Sequence, residues 1–253
     1  MKDIFAKIEE IQRAGKPAAL CIIVATTGST PRKAGSKMLV TETSEIFGTI
    51  GGGRSEQVII EKAIEICKSA LPEKIEMELE EDNDMLCGGS IEVYIEPIKP
   101  TQKLIIFGSG HVGSKLAGFA RDFGFSVTVI DHREEWLSPI TSKGIETING
   151  DFIEIATDLQ TDENTFIVVV TPQHESDMEI TGLCAKKPHR YLGMIGSKKK
   201  VAIARKHLEE EIGLSPETIN SIDMPIGIKF NAQTPEEIAI SILAKLIDVK
   251  NAG

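Results

Sequence analysis

Three glycines in the second half of the chain have the spacing of a dinucleotide-binding turn. Gly108, Gly110 and Gly113 form a GxGxxG motif between the apolar run LIIF and a stretch that predicts a helix. In such a turn the first glycine allows a tight bend, the second lets a pyrophosphate approach the backbone, and the third lets the helix pack closely on the strand. Amides at the helix start then attract the phosphates. The motif predicts binding of NAD or NADP.

Three polar residues around this turn are candidates for the rest of the site. Asp131 ends the next predicted strand, where a carboxylate can accept hydrogen bonds from ribose hydroxyls. Arg133 follows two residues later and would favour an adenosine phosphate instead, so the sequence leaves NAD and NADP open. His111 lies inside the turn at the helix start. The helix dipole disfavours a protonated imidazole there, which suggests a neutral ligand-binding histidine, although a polar residue with no such role is an equal alternative.

The loop after the strand FIVVV is a further candidate, because loops at the carboxyl ends of parallel strands hold ligands. It carries His174, Glu175 and Asp177. The alternative is a polar connection between a strand and a helix. Hydride transfer requires a proton donor or acceptor beside the substrate, and the sequence identifies none, so no catalytic residue is assigned.

A second glycine motif lies in the first half of the chain. Gly51, Gly52 and Gly53 are consecutive and precede a stretch with helical apolar periodicity. One glycine suffices for a turn, so three in a row suggest more than a backbone requirement. Amides at a helix start form an anion cradle, and Arg54 would reinforce the binding of a phosphate or a pterin-like group.

Cys87, Gly88 and Gly89 form a thiol on a glycine turn. Nearby amides can lower the pKa of such a thiol and leave it accessible, whereas the alternative is a small buried hydrophobic side chain. Because the turn is not apolar, the functional interpretation is favoured for Cys87. The other cysteines lie in strand or helix patterns and are predicted to be structural: Cys21, Cys67 and Cys184.

The composition narrows the range of partners. With a formal net charge of -10 over 253 residues, the chain is a poor candidate for binding nucleic acid or an anionic membrane. It has no CxxC pair and no zinc-like spacing, so any metal is left unassigned. The N-terminal stretch is charged and amphipathic rather than signal-like, and AALCIIVA is too short to span a bilayer. We expect a cytoplasmic protein with reduced thiols.

The order of predicted elements indicates an α/β protein with two domains. In the first half, helix, strand and glycine-turn patterns predict a small α/β domain at 1–98. The segment Glu96–Lys103 holds two prolines and is the expected linker. From Leu104 onwards, short apolar strands alternate with helices, which predicts a Rossmann-like, doubly wound parallel sheet at 99–253. The final helix is predicted to be capped by Thr234 and to pack on that sheet.

These motifs together resemble the XdhC/CoxI family, the accessory proteins of xanthine dehydrogenase. The resemblance covers nearly the whole chain, and its uncommon strings occur in matching order: GSTPRKAGSKMLV, GTIGGGRSE, CGGSIEVYIEP, FGSGHVGSKLAGFARDFGFSVTVIDHR, YLGMIGSKKK and PIGIKFNAQTPEEIAISILAKL. It implies a chaperone, rather than a turnover enzyme, that binds molybdenum cofactor, assists its sulfuration and passes it to a molybdenum hydroxylase apoenzyme. It also implies a homodimer and a sulfur-donating desulfurase as partner.

The resemblance also suggests roles for individual residues. It assigns the cofactor role to Gly51, Gly52, Gly53, Glu56 and Cys87, and a nucleotide-like role to Gly108, Gly110, Gly113 and Asp131. Many members carry a cysteine after the three glycines, where this chain has Arg54. The residues themselves keep two other interpretations open: an NAD(P)-dependent oxidoreductase or redox sensor, and a dimeric scaffold with a vestigial nucleotide site.

Overall fold

The computed structural model describes residues 4–79 and 89–252, apart from the side chain of His174. The chain divides into two compact units, Met1–Pro100 and Thr101–Gly253. Each unit contains one sheet of five strands. None of the helices in these described ranges is long and apolar enough to cross a bilayer.

The first unit is a sheet covered by one helix on each face. Its elements are α1 (Ile4–Arg13), β1 (Ala18–Thr27), β2 (Lys37–Thr41), β3 (Ile46–Gly48), α2 (Gly53–Ser69), β4 (Glu73–Glu78) and β5 (Ser90–Ile98). The strands lie in the order β3-β2-β1-β5-β4, and all neighbours are antiparallel. Side chains of a strand alternate between faces. Cys21 and Ile23 of β1 therefore join the core under α2, whereas Leu20 joins the core under α1.

The second unit is a parallel sheet with helices on both faces. Its elements are β6 (Gln102–Phe107), α3 (His111–Asp122), β7 (Phe125–Asp131), α4 (Glu134–Thr141), β8 (Glu146–Asn149), α5 (Phe152–Asp158), β9 (Thr165–Val169), α6 (His174–Ala185), β10 (Tyr191–Met194), α7 (Lys198–Glu210), α8 (Pro216–Ser221) and α9 (Pro235–Asn251). The strand order is β10-β9-β6-β7-β8. The direction of winding reverses between β6 and β9, where ligands bind in sheets of this kind. The predicted α/β class and Rossmann-like parallel sheet are confirmed.

Two cores sandwich this sheet, because successive residues of β6 point to opposite faces. Leu104 and Ile106 pack with α3, α4 and α9, and Ile105 and Phe107 pack with α5, α6, α7 and α8. The predicted packing of the last helix on the sheet is confirmed. Its N-terminus forms the predicted capping box, in which the Thr234 side chain accepts from the Glu237 amide while the Glu237 carboxylate accepts from the Thr234 amide.

The connection between the units is shorter than the expected linker Glu96–Lys103. Strand β5 continues to Ile98, which pairs with Ala18, and β6 begins at Gln102. Pro97 is tolerated within β5 because the pairing with β4 ends at Ile95, so the missing N–H faces an unpaired edge.

Candidate functional site

The three glycines in the turn of the second unit have different structural roles. Gly108 has φ +107°, and a Cβ atom there would lie 2.5 Å from the Val170 carbonyl oxygen. A Cβ at Gly113 would lie 1.9 Å from the carbonyl oxygen of Gly108. Gly110 caps α3 with φ -59°, and a Cβ there would have no atom within 4 Å. The turn itself therefore requires Gly108 and Gly113, whereas Gly110 leaves the approach to the helix start open.

The Asp131 carboxylate is used within the protein. The side chain is fully buried at the end of β7. Its Oδ2 accepts hydrogen bonds from the Ser109 amide (2.8 Å), the Ser109 hydroxyl (2.7 Å) and Nη2 of Arg133 (2.8 Å). Its Oδ1 accepts from the Arg133 amide (3.1 Å) and from Nε of Arg133 (2.9 Å). The carboxylate thus ties the glycine turn to the segment after β7.

These contacts fix the charges of Asp131 and Arg133. Burial disfavours the ionised carboxylate, but hydrogen bonds from Arg133 and Ser109 outweigh it and hold the pKa of Asp131 well below its ordinary value. The hydrogen bonds to Asp131 raise the pKa of Arg133, although burial opposes this. Both partners are therefore charged over the whole physiological pH range.

Trp136 in α4 brings the remaining polar residues of this turn together. The Arg133 guanidinium lies 5.0 Å from its ring centroid, and the His111 ring meets it edge-to-face at 5.2 Å. A cation–π contact of this kind stabilises the arginine side chain in one position. His111 and Arg133 were expected near the turn, whereas Trp136, the single tryptophan of the chain, was missed because nothing in the pattern of α4 relates it to the turn.

A buried ion pair lies at the carboxyl edge of the same sheet. Asp177 of α6 is fully buried and accepts from the Thr171 amide (3.1 Å), the Thr171 hydroxyl (2.6 Å) and Nζ of Lys200. A Cβ at Gly196 would lie 3.0 Å from the Lys200 side chain, so this glycine gives the lysine room to fold back. The pair joins the loop after β9 to the start of α7. His174 begins α6, and its side chain lies outside the described residues.

The glycine turn of the first unit is organised by Glu56. The Glu56 Oε2 atom accepts from the amides of Ile50 (2.9 Å) and Gly52 (3.1 Å) and from the Thr49 hydroxyl. The Gly51 amide donates to Thr49 Oγ1 at 3.1 Å. Burial disfavours the charged form of Glu56, but the hydrogen bonds from Thr49, Ile50 and Gly52 outweigh it, so its pKa is lowered. The protein's own carboxylate thus takes up part of the predicted anion cradle.

Gly51, Gly52 and Gly53 all have positive φ, at 145°, 82° and 70°. A Cβ at Gly51 would lie 2.9 Å from Pro31 Cγ, whereas Cβ atoms at Gly52 and Gly53 would meet nothing within 4 Å. The consecutive positive angles explain three glycines in a row by backbone conformation, so the prediction that they exceed a backbone requirement is wrong. They also leave the backbone before α2 open to a ligand. Arg54 is exposed in the first turn of that helix.

The triple-glycine turn and Gly89 contact the same loop of the first unit. A Cβ at Gly89 would lie 2.4 Å from the Thr27 carbonyl oxygen and 2.6 Å from that of Ser29, so Gly89 packs tightly on the end of β1. Pro31, two residues after Ser29, contacts the Gly51 position. Segment 29–31 therefore lies between the triple-glycine turn and Gly89. Cys87 and Gly88 lie outside the described residues.

The three described cysteines are buried, as predicted. Burial raises the pKa of Cys21 to about 12, of Cys67 to about 11 and of Cys184 to about 12. A thiol with such a pKa is protonated at neutral pH and is therefore a poor nucleophile. Over residues 4–79 and 89–252, no group of three or more histidine, cysteine or acidic side chains could hold a metal ion.

A cavity of about 560 Å³ lies at the start of β10, between α8 and α9, and is lined by residues including Tyr191, Asp223 and Lys245. Tyr191 donates its hydroxyl proton to Asp223 at 2.5 Å. The strands of this sheet are parallel, so the cavity lies at the opposite edge from the glycine turn. None of the residues predicted for binding lines it.

Comparison with known proteins gives matches to both halves of the chain. Residues 104–246 match the family model described as the XdhC Rossmann domain, and residues 11–76 match the XdhC and CoxI family. The chain is 31% identical to the uncharacterized protein YqeB of Escherichia coli over 98% of its length. Over 62% of its length it is 30% identical to a Bacillus subtilis protein named as a probable xanthine dehydrogenase subunit. It spans 46% of each of these two relatives.

A third relative has a length closer to that of this chain. The molybdenum cofactor insertion chaperone PaoD of Escherichia coli is 23% identical over 95% of this chain and 86% of its own. Among solved structures, a xanthine dehydrogenase from Bacillus halodurans matches with a TM-score of 0.55 and 22% identity, covering 98% of this chain and 95% of that one. The latter likeness supports the fold of both units.

Proposed function

Because the chain belongs to the XdhC and CoxI family, we propose that it carries molybdenum cofactor to a molybdenum hydroxylase. The cofactor is the cargo, and the recipient is an apoenzyme of the xanthine dehydrogenase type. Two relatives support this assignment by their names, one a cofactor insertion chaperone and the other a probable xanthine dehydrogenase subunit. The chaperone relative carries most weight, since the match extends over 95% of this chain.

The observation that carries the proposal is that the triple-glycine turn and Gly89 contact the same short segment of the first unit. Segment 29–31 contacts Gly89 through the Ser29 carbonyl oxygen and Gly51 through Pro31. A cargo held by the triple-glycine turn would therefore lie near Gly89, and Cys87 is two residues before Gly89 in the sequence. Glu56 holds the triple-glycine turn in place, and the backbone at Gly52 and Gly53 is open to a ligand.

The chemistry of the cargo suits such a site. Molybdenum cofactor is anionic, and its dithiolene sulfurs are sensitive to oxygen. The amides of Ile50, Gly51 and Gly52 already donate within the protein, so the Arg54 guanidinium is the group that would attract an anion at this turn. A thiolate is a soft ligand of the kind that matches a sulfur-bound metal. We assign binding to the turn of Gly51, Gly52 and Gly53 with Arg54, and sulfur chemistry to Cys87. A desulfurase would supply the sulfur, and a homodimer is the expected assembly.

The test is anaerobic binding of molybdenum cofactor released from a molybdenum hydroxylase, measured by co-elution and molybdenum analysis. We expect near-stoichiometric retention by the wild-type chain and at least about tenfold weaker retention by Arg54→Ala and by Cys87→Ser. Lys62→Ala is the matched control, because Lys62 lies on the same helix as Arg54 and pairs with Glu65 and Glu73. A folded wild-type chain that retains no cofactor would rule out the proposal.

A second candidate function is that of an NAD(P)-dependent oxidoreductase or redox sensor using the second unit. The open space at Gly110 favours it, because neither backbone conformation nor packing requires a glycine there. Steady turnover of a carbonyl or thiol compound with NAD(P)H, by a chain that retains no molybdenum cofactor, would replace the first proposal with this one.

A further inference from the structure

We propose that Arg133 occupies the place of a nucleotide ribose and thereby prevents the glycine turn of the second unit from binding NAD(H). The guanidinium bridges the two oxygens of Asp131, the residue that ends β7 where NAD-binding sheets carry a ribose acceptor. This inference is independent of cofactor carriage by the first unit, and it counts against the NAD-dependent form of the second candidate function.

The Asp131 carboxylate has no capacity left for a ribose. Two carboxylate oxygens offer roughly four lone-pair positions, and Asp131 already accepts five hydrogen bonds, of 2.7 to 3.1 Å. A ribose needs two of those positions for its neighbouring hydroxyls. With the side chain fully buried, there is also no exposed oxygen atom for a ribose to reach. Binding through Asp131 requires two donors to leave.

Only two of the five donors to Asp131 could leave without a change in the backbone or the glycine turn. The Ser109 amide and hydroxyl belong to the glycine turn itself, and the Arg133 amide belongs to the backbone after β7. The removable donors are Nε and Nη2 of Arg133, one on each carboxylate oxygen. A pair of parallel N–H donors presents to a carboxylate the same pattern as the two hydroxyls of a ribose.

Arg133 is held firmly beside Asp131. It lies only two residues from Asp131, and its guanidinium also contacts the ring of Trp136 at 5.0 Å. An ion pair with a buried carboxylate is costly to break, because the charge left behind has no compensation. A neutral sugar offers no charge to replace the guanidinium, so NAD(H) cannot displace it efficiently.

The test is titration with NADH, followed by isothermal calorimetry, of the full chain and three variants. We expect no measurable affinity for the wild type and at least about tenfold tighter binding by Arg133→Ala, which exposes the carboxylate. Adding Asp131→Asn to that variant should remove the gain, because the amide accepts from only one atom. Arg121→Ala is the matched control, since Arg121 pairs with its neighbour Asp122 at the far end of α3, and it should bind no better than wild type.

Two results would overturn the inference. One is NADH binding by the wild type that Arg133→Ala does not strengthen. The other is a folded Arg133→Ala chain that still binds no NADH. Should that variant unfold, Arg133→Met provides the same test, because it retains contact with Trp136 while lacking the two donors. Failure of these experiments would leave molybdenum retention by the first unit unaffected, so the two proposals are tested separately.

Discussion

The two glycine turns of this protein are similar in sequence, but the carboxylates that hold them differ in burial and in their partners. In each, glycines precede a helix and a carboxylate accepts hydrogen bonds from the turn. Glu56 belongs to the helix that follows its turn and is partly exposed, and its partners are amides and a hydroxyl. Asp131 comes from a neighbouring strand, is fully buried and pairs with Arg133.

The difference shows that the partners needed to keep a carboxylate charged depend on its burial. Solvent still reaches Glu56, so a few neutral donors suffice to lower its pKa. A fully buried carboxylate needs a cation as well as hydrogen bonds, and Arg133 provides both. The cation leaves Asp131 unavailable to a ligand, whereas the backbone at Gly52 and Gly53 stays open.

The largest effect should follow from Gly113→Ala, which tests whether the second turn is fixed by packing. The new Cβ would lie 1.9 Å from the carbonyl oxygen of Gly108, a backbone atom that cannot move alone. We expect a loss of about 3 kcal/mol in the free energy of unfolding of the second unit. Guanidinium unfolding followed by Trp136 fluorescence measures it.

Gly110→Ala is the control for that experiment, because its Cβ meets no atom within 4 Å and its φ is -59°. It should change the unfolding free energy by less than about 0.5 kcal/mol. Equal losses for both variants would mean that the turn relaxes as a whole and that close packing does not distinguish its glycines.

A smaller effect is expected from Asp131→Asn, which tests whether the charge of the buried carboxylate matters. Asparagine keeps only one accepting oxygen, so either the Oδ2 partners from Ser109 and Arg133 or the Oδ1 partners from Arg133 lose their acceptor, and the guanidinium loses its counter-charge. We expect a loss of about 2 kcal/mol by the same fluorescence measurement.

Asp122→Asn removes an exposed arginine partner and should cost less than about 0.5 kcal/mol. If Asp131→Asn were as mild as this control, the two turns would not differ in their need for a cation.

The smallest effect should come from Glu56→Gln, with a characteristic pH dependence. The folded state lowers the pKa of Glu56 from its ordinary value of 4.5. Its stabilisation is therefore complete above that value and is lost as the pH falls through the lowered pKa. We expect the variant to be about 1 kcal/mol less stable at pH 7, with the difference shrinking below pH 4.5. Urea unfolding followed by circular dichroism at pH 3 to 7 measures it. A difference that stays constant over this range would mean that the charge of Glu56 contributes nothing.

Much of the fold could be predicted because its elements carry strong periodic or capping signals. The apolar strands of the second sheet and the capping box at Thr234 are local patterns, and both were confirmed. Strand β8, with the sequence ETIN, was not predicted, because this short edge strand has no apolar run. The linker was predicted too long because prolines also occur at unpaired strand edges, as Pro97 does.

The site was predictable only where its residues are close in sequence. GxGxxG placed Gly108 and Gly113 correctly at a tight turn, because their requirement is local. The pairing of Asp177 with Lys200 spans 23 residues, and no local pattern indicates it. The sequence also did not predict that the Arg133 guanidinium binds the Asp131 carboxylate. Sequence spacing shows that an arginine lies nearby, but only side-chain packing decides whether it faces a ligand or its own neighbour.

The buried thiols allow the opening of each unit to be measured by chemical modification. Cys21 and Cys67 lie in the first unit and Cys184 in the second. Their raised pKa values and burial protect them from alkylation in the folded state, so modification waits for an opening of the surrounding core. The rate at which each thiol reacts therefore reports how often its own unit opens, without any added label.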